Sequence, residues 1–152
     1  MKAAVKGIQR ELEVFSAYLK EKELKLTAQR ALILETFLNR GGHISAEELY
    51  QKAKEKQSNV GFATVYRTLK HLTLCGLARE LDFGDGRIQY EPEYNRQHHD
   101  HMVCTRCGAY IEFLNPKIEE LQEQVSRKHG FKTTSHRMQL FGICSKCQKT
   151  GK

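Results

Sequence analysis

The sequence predicts an α+β fold in two parts: a helical N-terminal half closed by a β-hairpin, and a small C-terminal α/β half that carries a metal. Three observations predict it. Apolar residues recur at helical spacing between residues 8 and 74. Two strand-like runs then flank a glycine turn. Two Cys-x-x-Cys pairs, Cys104/Cys107 and Cys144/Cys147, punctuate the remainder. The 152 residues are 39% hydrophobic and 28% charged, an ordinary globular composition. No run has the apolar length of a membrane span, and no signal-peptide h-region is present, so no membrane partner and a cytoplasmic location are expected. The expected division is a first domain over 1–92, a hinge over 93–97 and a second domain over 98–152.

The elements follow in order. Ile8, Leu12, Phe15 and Leu19 make an amphipathic stripe for a first helix. Thr27 can cap a second helix, with Leu32, Ile33, Leu34, Phe37 and Leu38 as its apolar residues and Gly41-Gly42 as its stop. Ser45-Ala46-Glu47-Glu48 has the capping-box form, and Leu49 and Ala53 face inward on the helix that follows. Residues 62 to 74 form the most informative helix. Val65, Leu69 and Leu72 are its buried stripe; Thr64, Arg67, Thr68, Lys70 and His71 lie mostly elsewhere, with Tyr66 at the border. This helix has no acidic residue, and Arg, Lys, Tyr and Thr are groups that contact phosphates and base edges. A solvated basic surface helix is the plain alternative. Residues 77 to 83 and 87 to 91 then read as two strands joined by Gly84-Asp85-Gly86. Three helices and a hairpin make a winged helix, a DNA-binding domain whose third core helix enters the major groove. The amino-terminal helix is an addition to that core.

In the second half, residues 101 to 105 and 109 to 113 have strand composition around the first cysteine pair. Asn115-Pro116 starts a helix that continues through Ile118, Leu121, Gln122 and Val125 and ends at His129-Gly130. Thr133 to Phe141 alternates as a strand and delivers the second cysteine pair, after thirty-six residues intervening between the pairs. A half this small has a modest core, so a metal and a partner subunit are expected to supply the missing stabilisation.

The chemistry concentrates in residues 98 to 108. Two Cys-x-x-Cys knuckles fit a four-cysteine structural Zn(II) site of Cys104, Cys107, Cys144 and Cys147, each pair reaching one ion at about 2.3 Å. Gly108 follows the first knuckle, where the turn favours positive φ. A closed thiolate site takes no fifth ligand. Yet His98, His99, Asp100 and His101 precede it, and Glu91, Glu112, Glu119 and His136 lie near in sequence. Nitrogen and oxygen ligands suit an exchangeable divalent ion such as Fe(II), Mn(II) or Zn(II). In an extended run, His98 and Asp100 point one way and His99 and His101 the other, so one run can serve two ions. A permanent thiolate metal beside an exchangeable one is the composition of a sensor. Other readings of single residues stay open: a loop histidine for His43, a helix-dipole acid for Glu119, a packed strand histidine for His136.

The net charge of +7 favours a polyanion partner. Residues 1–84 hold 14 Lys+Arg and 10 Asp+Glu, giving +4; residues 85–152 hold 11 and 8, giving +3. Four thiolates and one Zn(II) add −2, which leaves the metal-loaded second half at about +1. The loaded protein is then basic mainly in its first half. No nucleophile or general base stands apart from the metal ligands, so an enzyme is not expected. A metalloenzyme with a water-activating His/Asp site remains the alternative class, with a non-regulatory zinc-ribbon interaction module beside it.

Taken together, Thr27-Ala28-Gln29-Arg30, the run 43–50, Ala63-Thr64-Val65-Tyr66-Arg67-Thr68-Leu69, His98-His99-Asp100-His101, Cys104-x-x-Cys107-Gly108, Ile111-Glu112-Phe113 and Cys144-x-x-Cys147 resemble the ferric uptake regulator family. The match runs in order from about residue 8 to residue 147. The resemblance implies a homodimeric, or higher-oligomeric, metal-dependent transcriptional repressor of metal-uptake genes with a winged-helix domain and an α/β dimerisation domain. It implies a regulatory site of His43, Glu91, His99, His101 and Glu112 that links the domains, and a second site of His98, Asp100, Glu119 and His136 within the second domain. The segment after Glu91 is one residue longer than the family pattern. Operator DNA is the implied partner, with Lys25, Thr64, Tyr66 and Arg67 as the expected contacts. The zinc-sensing branch tends to carry Cys where Glu91 stands, and the peroxide-sensing branch Asp where Glu112 stands. Both departures point to Fe(II) sensing, with Mn(II), Zn(II) or peroxide sensing as alternatives and Mn(II) or Zn(II) as substitutes in vitro.

Overall fold

The structure is a computed structural model that describes residues 8–82, 86–94 and 98–150. The chain divides into two compact units, Met1–Arg96 and Gln97–Lys152. Residue 83 of the first expected strand, residues 84–85 of the expected turn and residues 95–97 of the expected hinge lie outside the described residues.

The first unit runs α1 (Gln9–Glu21), α2 (Ala28–Arg40), α3 (Ala46–Lys56), α4 (Phe62–Leu74), β1 (Ala78–Asp82) and β2 (Ile88–Pro92). Helices α2 and α3 start or stop where local chemistry requires. Thr27 accepts from the Arg30 N–H ahead of α2, and Gly41, at φ 61°, ends it. Ser45 and Glu48 close a complete capping box ahead of α3, which satisfies N–H groups that the first turn leaves orphaned. Phe15, Leu19, Ile33, Leu34, Phe37, Leu49, Val65, Leu69 and Leu72 meet in one core, so α1 is part of the unit's hydrophobic interior. β1 and β2 pair antiparallel, and an isolated bridge from Ile44 to Tyr90 adds a third short edge. This is the winged-helix arrangement, with α4 as the third core helix.

One detail differs from the sequence expectation. Thr68 is buried rather than facing outward, because its hydroxyl donates to the Thr64 carbonyl at 2.7 Å and so enters the core already satisfied. Cys75 is half-buried, caps α4 and directs its thiol to the Leu72 carbonyl.

The second unit runs β3 (Asp100–Cys104), β4 (Tyr110–Phe113), α5 (Pro116–Lys128), β5 (Gln139–Gly142) and α6 (Ser145–Thr150). Its sheet has the order β4-β3-β5, with β4 antiparallel and β5 parallel to the central β3. Asn115 caps α5 by accepting from the Lys117 N–H, with Pro116 in the first turn. The expected strand from residue 133 is shorter than its alternation suggested. Ladder contact with β3 starts only at the Met138 carbonyl, which accepts from the His101 N–H. Residues 133 to 137 have no strand partner among the described residues, and alternation without a partner does not make a strand. The short α6 had no apolar periodicity to announce it. No helix among the described residues is long and apolar enough to cross a membrane.

The core predicts a contrast within α4. Leu69 is fully buried and Leu74 is 72% exposed. Leu69→Ala should destabilise the first unit by about 2–5 kcal/mol through lost burial and a residual cavity. Leu74→Ala should stay within about 0.5 kcal/mol. Urea unfolding of both variants, followed by circular dichroism, measures the difference.

Candidate metal centres and nucleic-acid interface

The cysteine centre is assembled by two turns. Cys104 closes β3, and the chain folds back so that the Gly108 N–H donates to the Cys104 carbonyl at 2.9 Å and the Cys104 N–H to Ala109 at 2.7 Å. Gly108, at φ 70°, makes that reversal without strain. Cys144 and Cys147 arrive at the start of α6, directly after β5. The four sulfurs then lie within 4.8 Å of one another, and none of the five cysteines is in a disulfide. Cys107 and Cys144 Sγ are 3.7 Å apart. A tetrahedron of sulfurs at about 2.3 Å from zinc has edges of about 3.8 Å, so the donor set fits Zn(II).

The electrostatics of the cluster fit a cation as well. The Cys104 thiol is pulled down to about 6, first by the Cys144 N–H, which donates to its sulfur, and then by the backbone at Cys107. Cys144 is also lowered, chiefly by the Cys147 N–H. Cys147 is pushed up to about 12, because the thiols of Cys144 and Cys107 hold its neutral form. One sulfur ionises easily and another resists, as expected of neighbours that cannot all be anions without a counter-ion. A dication is that counter-ion.

Two further groups of ligands grow from the period of β3. His98, Asp100, Glu119 and His136 bring one ligand atom each within 4.8 Å of the others. His98 Nε2 lies 3.4 Å from Asp100 Oδ1 and 3.7 Å from Glu119 Oε1, and His136 Nε2 lies 3.1 Å from Glu119 Oε2. Close as they are, His98 Nε2, both Asp100 oxygens, Glu119 Oε1 and His136 Nε2 are buried without hydrogen-bond partners. A buried unsatisfied group costs about 1–3 kcal/mol, and several aimed at one point are the donor set of a divalent ion. On the opposite face of the same run, the His99 and His101 rings are 5.0 Å apart. His99 Nε2 is 3.9 Å from Glu112 Oε1, and Glu112 is the β4 residue directly opposite His101.

Within the first unit, His43 and Glu91 are brought together by the Ile44–Tyr90 bridge. Two hydrogen bonds, Ile44 N–H to the Tyr90 carbonyl at 3.0 Å and the reverse at 2.8 Å, fix an antiparallel register. In that register His43 stands opposite Glu91, and both are buried. His43 Nε2 is 3.2 Å from Glu91 Oε2. On the other side of β2, Arg79 is the cross-strand neighbour of Glu91. Sequence reading did not single out Arg79 or its partner Glu93; only the strand register places them beside a candidate ligand.

On α4, Tyr66 is 43% exposed and Arg67 is exposed, while Thr64 is half-buried. Lys70 is held by Glu80 at 2.6 Å and raised above its ordinary value by that hydrogen bond, and its ammonium lies 5.5 Å from the Tyr66 ring centroid. His71 is held below its ordinary value by burial and then by Arg30, so it adds no charge at neutral pH. Tyr66 and Arg67 are thus exposed groups of the helix able to reach a partner. Lys25 is exposed just ahead of α2, its carbonyl accepting from Arg30 Nη1 at 2.6 Å.

The ferric uptake regulator family model matches residues 21–141. The chain is 44% identical over 138 residues to the ferric uptake regulation protein of Campylobacter jejuni, covering 90% of this chain and 87% of that protein. The solved Helicobacter pylori ferric uptake regulator, described as having three functional metal binding sites, is 32% identical with a TM-score of 0.83, covering 95% of this chain and 93% of its own. The Francisella tularensis ferric uptake regulator, solved with iron, is 31% identical with a TM-score of 0.75, over 82% of this chain and 95% of its own. The cysteine centre, the winged helix and these likenesses together show that the chain belongs to the ferric uptake regulator family of metal-responsive transcriptional regulators.

Proposed function

We propose that the chain is an Fe(II)-dependent repressor of metal-uptake genes that binds operator DNA as a homodimer. The observation that carries the metal choice is the identity of two ligands: Glu91 rather than Cys opposite His43, and Glu112 rather than Asp opposite His101. In this reading Cys104, Cys107, Cys144 and Cys147 hold a permanent structural Zn(II). His43 and Glu91 from the first unit and His99, His101 and Glu112 from the second would together hold the exchangeable ion. His98, Asp100, Glu119 and His136 would hold another. The exchangeable ion supplies a positive centre that binds one hinge geometry better than others, which shifts the population towards it. The link between the two units acts as the hinge. Ligand type alone does not select iron, since such sites follow the Irving–Williams order and supply in the cell decides.

The homodimer is supported by what the second unit leaves uncovered. No residue of α5 is buried, and Leu121, Val125 and Phe131 are 58, 59 and 66% exposed. Apolar side chains on that scale point to a partner surface. A two-fold dimer would set two α4 helices against successive major grooves of a pseudo-palindrome, with Tyr66 and Arg67 as base or phosphate contacts and Lys25 and Thr64 beside them. Operator binding by the zinc-loaded protein, titrated with Fe(II), Mn(II) and Zn(II), tests the whole reading. Binding that ignores all three metals would overturn it.

Four expectations follow from the separate roles. Cys104→Ser or Cys144→Ser should lose zinc and weaken the dimer, because binding there is also folding free energy. Zinc affinity should fall with acid, and its slope should steepen by about one proton below pH 6, where Cys104 also becomes protonated in the zinc-free cluster. Competition with a chromophoric chelator across pH reads both effects. His101→Ala or Glu112→Ala should keep zinc and dimer and lose metal-stimulated operator binding; an unchanged metal midpoint in both variants would refute the regulatory assignment. Arg67→Ala and Tyr66→Ala should bind metals normally and operator more weakly. Loss of a base contact costs about 1–3 kcal/mol and relaxes sequence preference, whereas loss of a phosphate contact lowers the salt slope by about one. Comparing operator with random DNA across salt separates these cases.

A further inference from the structure

Glu91 sits in the sheet between His43 on one side and Arg79 on the other. The Arg79 side chain is 16% exposed, and its Nη1 stops 3.8 Å from Glu91 Oε1, beyond hydrogen-bond reach. The same guanidinium donates from Nε and Nη2 to Glu93 Oε1, at 3.0 and 2.6 Å. Glu93 follows Glu91 by two residues, so both carboxylates face the same way along the strand. The Glu93 N–H donates to the Leu77 carbonyl and carries the ladder one step past β2. Glu80, the acid beside Arg79 on β1, is occupied by Lys70. Arg79 thus has two carboxylates in reach and is bound to the outer one.

That choice matters because a guanidinium and a divalent cation compete for the same lone pairs. Arg matches a carboxylate with two parallel hydrogen bonds, and a Glu91 engaged in this way has less to offer an ion. We propose that Arg79 and Glu93 form a positioning pair for the exchangeable divalent-cation site: Glu93 holds the guanidinium off Glu91 and thereby sets the metal concentration at which the protein responds. This rests on the reading of Glu91 and His43 as ligands. Without Glu93 the guanidinium loses both hydrogen bonds, and Glu91 is the acid left within its reach.

The test uses the zinc-loaded full-length chain carrying His136→Ala, so that one exchangeable site is counted, with Mn(II) as the probe and electron paramagnetic resonance reading free Mn(II). Glu93→Ala should weaken Mn(II) roughly tenfold, the size of coupling usual within one charged network. Arg79→Met, which keeps the packed stem, should tighten Mn(II), and adding Glu93→Ala to it should then change little. Glu93→Gln, which keeps an acceptor without the charge, should fall between wild type and Glu93→Ala, and thermal melts confirm folding of each variant. Equal weakening by Glu93→Ala with and without Arg79 would mean a simple loss of negative field and would overturn the proposal, as would unchanged affinity in Glu93→Ala. If His43→Ala leaves Mn(II) affinity unchanged, the ligand assignment itself fails, a result distinct from failure of the Arg79–Glu93 pair.

Discussion

Four thiols drawn within 4.8 Å of one another are the constraint on which the second unit depends. Without a cation the cluster holds one sulfur ready to ionise and another pushed up to about 12, an arrangement of opposed demands. A dication resolves it and at the same time ties the end of β3 to the start of α6. The unit has little else to hold it. Among the described residues beyond 96, the buried hydrophobics are Val103 and Cys104 alone. A metal crosslink at the cysteines would supply stabilisation that a core this small does not.

The same sheet explains how one short histidine run addresses two centres. β3 is the central strand, and its side chains alternate between faces. His98 and Asp100 therefore join Glu119 from α5 and His136 from the segment before β5, while His99 and His101 turn towards Glu112 on β4. A one-residue slip of β3 would exchange the two sets. Flanking strands on both sides, antiparallel and parallel, make that slip costly.

In the first unit the backbone again does the placing. A single bridge between Ile44 and Tyr90 stands His43 opposite Glu91, and the hairpin register stands Arg79 on its far side. The candidate ligands therefore belong to the same small sheet as the wing. Helix α4 packs through Val65, Leu69 and Leu72 on the core that Ala78 and Tyr90 of those strands enter, so Glu91 lies next to a residue packed with α4.

Much of this was legible in the chain itself, wherever the cause is local. Helix spacing, the Thr27 and Ser45 caps, the Asn115-Pro116 start and the paired Cys-x-x-Cys knuckles act over a few residues, and periodicity and spacing record them directly. The alternation of His98 to His101 was legible for the same reason. Tertiary structure decided what depends on partners distant in sequence. It buried Thr68 by giving its hydroxyl a carbonyl, and shortened β5 by denying residues 133 to 137 a neighbouring strand. It left α5 without a buried residue. It also stood Arg79 between Glu91 and Glu93, because cross-strand register is fixed by hydrogen bonds between segments and leaves no periodic mark in either one.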